Sequence, residues 1–561
     1  MATTPGTHLS DLEIAARTVL KPITEIAKSA GIPEAALEPY GRYKAKVDPA
    51  LLAANSTGRG RVVLVSGMSP TPAGEGKTTM VVGLADALAA SGTKTMIALR
   101  EPSVGPSFGM KGGATGGGQS QVLPMDDINL HFTGDFHAIT SANNLLMAMV
   151  DNHLHHGNKL GIDPRRITFK RVMDMNDRSL RTVVIGLGGP TDGVPRETGF
   201  EITAASEVMA VFCLATDHAD LRHRLGKMTI GYTYTKEPVT VDDLGAAGPL
   251  TLLLKDAIKP NLVQSIAGTP AFIHGGPFAN IAHGCNSAIA TNTARSLADV
   301  VVTEAGFGAD LGAEKFMDIK ARFADCAPSA VVITTTIRAL KMHGGVSLED
   351  LGEEKLEAVR VGLPNLSRHV EIIKKFGIPP VIGINQFTLD TPNELKIVTD
   401  WATENGIECA VADVWGQGGA GASELATAVL RALDSPTKFT HLYNLEQSIE
   451  EKLLSLVRDV YGGEGVEYSS KALRMLEQIH SNGWDHLPVC VAKTQYSFSD
   501  DPQSLGAPSG FRLQIRELIP KTGAGFIVAI TGALTTMPGL PQVPAALRMD
   551  VDQDGKAVGL P

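Results

Sequence analysis

The stretch "SPTPAGEGKTT" (69–79) constrains this chain more than any other. It follows "RVVLVSG" (61–67), a short β-branched run that reads as a buried strand. It leads into "TTMVVGLADALAASG" (78–92), which reads as a helix stopped by Gly92. Residues 71–78 fit G-x-x-x-x-G-K-[ST] except that Thr71 stands at the first glycine. Gly74 and Gly76 can take positive φ and let successive N–H groups converge on an anion. Lys77 would reach the β- and γ-phosphates of ATP, and the Thr78 hydroxyl would meet Mg²⁺ at the positive end of the helix. The whole run Thr71, Pro72, Ala73, Gly74, Glu75, Gly76, Lys77 and Thr78 is the ATP-binding candidate; a glycine-rich turn without a ligand is the alternative.

Strand-like runs recur at "TKTMIALR", "TVVIG" (182–186), "PAFIHGG" (270–276), "ADVVVTEAGFG" (298–308), "SAVVITTT" (329–336), "PPVIGINQF" (379–387) and "CAVADVWGQGG" (409–419), with helical stretches between them. This alternation predicts an α/β fold: a mainly parallel sheet with helices on both faces. In the last hundred residues "PVCVAKT" and "GAGFIVAITG" are strands around a loop-rich stretch, a smaller α+β unit. The expected domains are 1–365 for nucleotide binding and catalysis, 366–455 as an α/β unit contributing to the second substrate site, and 456–561 at the C-terminus. Near the N-terminus, Ser10 and Glu13 form a capping box that should start a helix. Ligands of open parallel sheets bind beyond the carboxyl ends of strands, so the chemistry belongs there.

With 50 Lys+Arg against 60 Asp+Glu, the net charge of -10 gives no bulk attraction for nucleic acid or an anionic membrane. The N-terminal residues do not resemble a secretory signal, and no apolar run reaches the length of a membrane span. The five cysteines are far apart and odd in number, which suits reduced thiols in a cytoplasmic protein better than disulfides.

Arg100 and Glu101 close the second strand, where a positively charged residue can face a transferred phosphoryl group; a surface ion pair is the other reading. The glycines around Lys111 suggest backbone against a ligand, or else a mobile loop. Asp126, Asp127 and Asp135 could serve a cation or cap helices, and His131 and His137 stand open between functional and structural roles. His153, His155 and His156 lack zinc-ligand spacing and read as a solvated helix end. No Gly-x-Ser-x-Gly elbow or reactive-cysteine signature is present. An ATP enzyme without its own nucleophile points to a kinase or an ATP-driven ligase, in which a substrate attacks.

"TPAGEGKTT", "GMKGGATGGGQSQVLPMDDINLHFTGDFHAITSANNLL", "VTEAGFGADLGAEKF", "TTIRALKMHGG", "INQFTLDT", "VAKTQYSFSDDP" and "AGFIVAITGALTTMPGLP" occur in that order. Together they resemble the formate–tetrahydrofolate ligases over the whole chain. Thr71 is that family's own form of the loop; Thr115, Gln119 and Gly416 are small departures. The resemblance implies that MgATP activates formate as formyl phosphate and that N10 of tetrahydrofolate then takes the formyl group, in one-carbon metabolism. It implies Lys77 and Arg100 as catalytic residues, with Arg100 gripping formyl phosphate. It places Phe307, Phe387 and Trp415 at the folate, and Glu101 and Asp135 at an activating monovalent cation, K⁺ or NH₄⁺. A homotetramer acting on small molecules is also implied. Each aromatic taken singly would suit core packing, but all three lie in polar or Gly-rich strand ends. Arg338, Lys341 and His343 follow another strand and have no assigned duty.

Two other readings remain at this point. A partitioning-type ATPase shares the strand–loop–helix unit, but usually carries a second lysine where Pro72 and Ala73 stand. An inactive family member would be expected to have lost Lys77 or Arg100, and both are present.

Overall fold

The apolar run "RVVLVSG" forms the strand β1 (Arg61–Gly67) at the heart of a twelve-stranded sheet. The structure is a computed structural model and describes residues 9–52, 59–110, 115–532 and 534–560. Seven further strands matter to the site: β2 (Thr95–Leu99), β3 (Asn261–Ser265), β4 (Pro270–Ile273), β5 (Val300–Glu304), β6 (Ala330–Thr335), β7 (Pro380–Asn385) and β8 (Glu408–Ala412). Their order across the sheet is β3-β4-β2-β5-β1-β6-β7-β8. From β4 to β8 every neighbouring pair is parallel. β3 pairs antiparallel with β4 and carries the edge on to the short strands Ala45–Val47 and Leu37–Pro39.

β1 shows why the sheet is covered on both faces. Successive strand residues point to opposite sides. Val63 and Val65 pack with Met80, Val81 and Leu84 of the helix Lys77–Ala90 and with Leu425 and Val429 of the helix Ser423–Leu433. Val62 and Leu64 pack with Phe316, Ile337, Leu340 and Leu366 on the other face. Each such side chain fully buried contributes roughly 1.5–3 kcal/mol of transfer free energy. The second cluster continues into the C-terminal unit through Leu456, Val489, Leu513 and Ile527. That unit has its own four-stranded sheet, built from Gly465–Tyr468, Arg512–Lys521, Phe526–Thr531 and Val489–Ala492. The central sheet itself runs across position 365/366, since β6, β7 and β8 are consecutive neighbours.

"TVVIG" differs from expectation. Val183–Ile185 pairs antiparallel with Arg196–Thr198 in a separate two-stranded ribbon. Val184 is exposed, so this run has no second covered face and is no interior parallel strand. The Ser10 cap is present: Glu13 N–H donates to Ser10 Oγ at 3.3 Å, and Ser10 N–H donates back to Glu13 at 2.7 Å. The helix Asp135–His155 ends within the histidine cluster as read. All five cysteines are free, with Cys409 the one partly exposed. Among the described residues no helix is long and apolar enough to cross a membrane.

Candidate active site

All the parallel strands deliver their carboxyl ends to one edge of the sheet, and β1 reaches it in the middle. The loop after β1 is tied down at several points. Gly74 and Gly76 both sit in the left-handed region, at φ 82° and 68°. A Cβ on Gly76 would stand 2.5 Å from Asn385 Nδ2. Thr71 is not among the positive-φ residues, so the first position needs no glycine here. Glu75 turns inward and is buried. Its Oε1 accepts the Thr71 N–H at 2.6 Å, and its Oε2 accepts the Thr336 hydroxyl. Asn385 Nδ2 donates to the Glu75 carbonyl at 3.0 Å, and Arg338 Nη2 donates to the Gly74 carbonyl. Gly74 N–H closes a turn on the Thr71 carbonyl at 3.0 Å. The Thr71 and Gly74 amides are thus used within the loop. The first helical amides, from Lys77 onward, lack a carbonyl four residues back within the helix, and no side chain caps them at Gly76.

Lys77 opens that helix with three charged groups around it. Burial pulls its ammonium pKa down, Glu304 and Glu75 hold it up, and Arg100 adds to the fall. Glu304, the last residue of β5, is 3% exposed and joins the other two parts of the site. Its Oε2 accepts the Thr78 hydroxyl at 2.9 Å, and its Oε1 lies 3.7 Å from Arg100 Nη2. Arg100 leaves the end of β2, and its Nη1 donates to the Pro277 carbonyl at 3.3 Å. Its Nε is buried with no hydrogen-bond partner among the described residues. Arg100 and the Thr78 hydroxyl therefore meet at a single carboxylate whose charge also acts on the Lys77 ammonium. Phosphoryl transfer needs such a place, where charge is stabilised by groups already in position. A hydroxyl and a carboxylate side by side are also hard oxygen donors of the kind Mg²⁺ takes beside phosphates.

Two of the predicted aromatics reach this edge by the loop. Phe307 is a non-glycine residue at φ 61°, and its carbonyl would lie 3.5 Å from a Cβ on Gly67. Phe387 lies beneath Arg338, whose guanidinium carbon stands 3.9 Å from the ring centroid. One face of Phe387 is thus already taken. Trp415 is 40% exposed and packs on the turn before the strand Ser120–Leu123; a Cβ on Gly118 would come 2.7 Å from its Cγ. Gln119, one of the departures from the family pattern, donates its backbone N–H to the Trp415 carbonyl at 2.8 Å. Lys111 lies outside the described residues.

The cation pair looks different from its expectation. Asp135 is buried with Lys46 Nζ at 2.8 Å on Oδ1, and Asn261 Nδ2 donates to its Oδ2 at 2.7 Å. Both oxygens are engaged and the charge is balanced, so Asp135 does not fit a cation ligand in this arrangement. Glu101 keeps a buried Oε2 without a partner among the described residues. Burial first, then the neighbouring Asp135, raises the Glu101 pKa well above the carboxylate range. Among the described residues no group of three or more His, Cys, Asp or Glu is arranged to hold a metal. Lys341 pairs with buried Glu394 at 3.0 Å, and His343 bridges the Ser69 carbonyl and the Gly506 N–H at 3.0 and 3.1 Å. Both are framework residues around the loop.

The formate–tetrahydrofolate ligase family matches residues 9–561. The chain belongs to the formate–tetrahydrofolate ligase family. A formate–tetrahydrofolate ligase of Arthrobacter sp. (strain FB24) is 67% identical over 558 residues, covering 98% of this chain and 99% of that protein. One from Renibacterium salmoninarum is 64% identical, covering 98% of this chain and 99% of its own. One from Staphylococcus aureus is 62% identical, covering 99% of this chain and all of its own length. The family membership answers the partitioning-ATPase alternative. It leaves the individual duties of the site residues to the geometry.

Sequence reasoning missed Glu304, Thr336, Asn385 and Lys46. An acidic residue at the end of an apolar strand, as in "VVVTE", is a usable signal for the first. The others were hidden because their partners lie roughly 90 to 310 positions away in the chain.

Proposed function

We propose that the chain joins formate to tetrahydrofolate at the expense of ATP, yielding 10-formyltetrahydrofolate, ADP and phosphate for one-carbon metabolism. The observation that carries the mechanism is the meeting of Thr78 and Arg100 on Glu304 at the end of β5, next to the helix that Lys77 opens.

In this reading the amides of Gly76, Lys77 and Thr78 and the Lys77 ammonium hold the β- and γ-phosphates. The Thr78 hydroxyl and Glu304 would hold Mg²⁺, which neutralises phosphate charge when bound. A formate oxygen attacks the γ-phosphorus and the bond to the ADP oxygen breaks, giving formyl phosphate. Arg100, aimed across the loop, stabilises that anhydride. N10 of tetrahydrofolate then attacks the formyl carbon, phosphate leaves with its bridging oxygen, and the N10 proton goes to solvent. No protein nucleophile is needed, so positioning and charge supply the catalysis. Phe307, Phe387 and Trp415 offer flat surfaces for the pterin and its neighbouring ring. Glu101 offers one free oxygen to a monovalent activator, with Asp135 acting through Lys46 instead. A homotetramer working in the cytoplasm completes the proposal.

The test is an omission series. The protein is incubated with MgATP, formate and tetrahydrofolate, and 10-formyltetrahydrofolate and ADP are measured together. Equal formation of both, lost when any one substrate is left out, is the expected result. ADP release independent of formate would overturn the reading.

A further inference from the structure

Arg338 has no part in the mechanism just given, yet it touches two of its components at once. It sits on the first turn of the short helix Ile337–His343, after β6. That helix start is fixed: Thr336 Oγ1 accepts the Ala339 N–H at 3.1 Å and donates to Glu75. From there the side chain runs between the glycine loop and the end of β7. Nη2 donates to the Gly74 carbonyl, and Nε lies 4.0 Å from Glu75 Oε2. The flat guanidinium covers the ring of Phe387 at 3.9 Å. Phe387 is itself held by its N–H on Asp390 Oδ2 at 2.8 Å.

We propose that Arg338 is a positioning residue that couples the nucleotide and folate sites, so that filling either one tightens the other. The proposal rests on the reading that residues 69–78 bind ATP and that Phe387 faces the folate. Its physical basis is shared ordering. A phosphate held by the loop fixes the Gly74–Glu75 peptide, and that carbonyl fixes the plane of the guanidinium. The guanidinium in turn fixes the ring plane of Phe387, the surface a flat ligand would stack on. The second ligand then meets groups already ordered by the first and loses less freedom on binding. Arginine suits this role because a planar fork can donate and stack simultaneously. A lysine keeps the charge and can reach a carbonyl, but presents no plane to the ring.

Coupling between two sites is reciprocal, so it can be read from either ligand. MgADP binding is measured by calorimetry with and without saturating tetrahydrofolate, in the absence of formate and phosphate. In the parent protein, folate is expected to tighten MgADP about fivefold or more. In Arg338→Lys that ratio should fall to about one, while MgADP alone binds within about threefold of the parent. Phe387→Leu keeps the Arg338–Gly74 hydrogen bond and should lose the ratio as well. It carries the test if Arg338→Lys proves unfolded by circular dichroism. A purely structural staple would weaken both titrations by one factor and leave the ratio unchanged; that result overturns the proposal, as does a ratio of one in the parent. Failure of the underlying reading looks different: the parent would then give no MgADP titration, or Phe387→Leu would leave a direct tetrahydrofolate titration unchanged.

Discussion

Glu304→Gln is the most telling substitution in the candidate site. It removes one charge while keeping the shape and an oxygen that can accept the Thr78 hydroxyl. Glu304 is buried and lies 3.7 Å from the Arg100 guanidinium. Two unit charges at that separation interact by about 4 kcal/mol at an effective dielectric of about 20. Arg100 is 24% exposed, so solvent reduces this, to about 2–3 kcal/mol. If that energy aligns Arg100 for the transition state, kcat/KM for MgATP should fall about 30- to 150-fold. The pH response gives a second signature. Glu304 is one of two carboxylates that hold the Lys77 pKa up against burial. Without it the ammonium loses its proton at lower pH, so the deficit should widen as pH rises above neutral. The assay is the initial rate of 10-formyltetrahydrofolate formation over a grid of ATP and Mg²⁺, with thermal melting as the control for folding. A folded variant within threefold of the parent throughout that grid would refute the role given to Glu304.

Lys77→Ala should abolish formylation without unfolding the chain, checked by the same assay and by circular dichroism. Trp415→Ala should raise the tetrahydrofolate KM about tenfold, as expected for a lost aromatic stack and its buried area, and leave the ATP KM unchanged. Lys46→Met should cost about 3–5 kcal/mol in a denaturant titration because Asp135 is left charged and buried, and adding Asp135→Leu should recover most of that loss. Acid should weaken the fold through three buried histidines. Burial lowers the pKa of His274 to about 4 and those of His283 and His369 to about 3, so each stays neutral when folded but gains a proton when unfolded below about 6.5. These three cost about 4 kcal/mol between pH 7.5 and 5.5. Asp86 and Asp174, raised by burial to about 6, bind protons more tightly in the folded state and return about 1 kcal/mol each over the same range. The histidine share is isolated by comparing denaturant midpoints at pH 7.5 and 5.5 in the parent and in His283→Gln, whose loss on acidification should be smaller by about 1.4 kcal/mol.

The central sheet was legible because its strands are buried on both faces, and continuous β-branched runs such as "RVVLVSG" announce that. "TVVIG" carries the same composition over five residues, and only the exposure of Val184 separates it from a core strand. Lys77, Thr78 and Arg100 were readable because each follows a strand end within a few residues. Glu75 was readable as part of the loop but not in its orientation, which depends on Thr336 more than 250 positions later. Asp135 shows the opposite failure. Its acidity suggested a cation, but the cation that meets it is Lys46, supplied by the short strand Ala45–Val47, 89 positions earlier. Local sequence reports which groups can carry charge, whereas the long-range fold decides which charges are already satisfied.

In the proposed mechanism formate is activated by phosphorylation before the folate attacks. Formate labelled with ¹⁸O tests this directly, with the inorganic phosphate from a single turnover analysed by mass spectrometry. One labelled oxygen per phosphate is the predicted result, because the bridging oxygen of formyl phosphate leaves with phosphorus. Unlabelled phosphate, formed in step with 10-formyltetrahydrofolate, would contradict the mechanism.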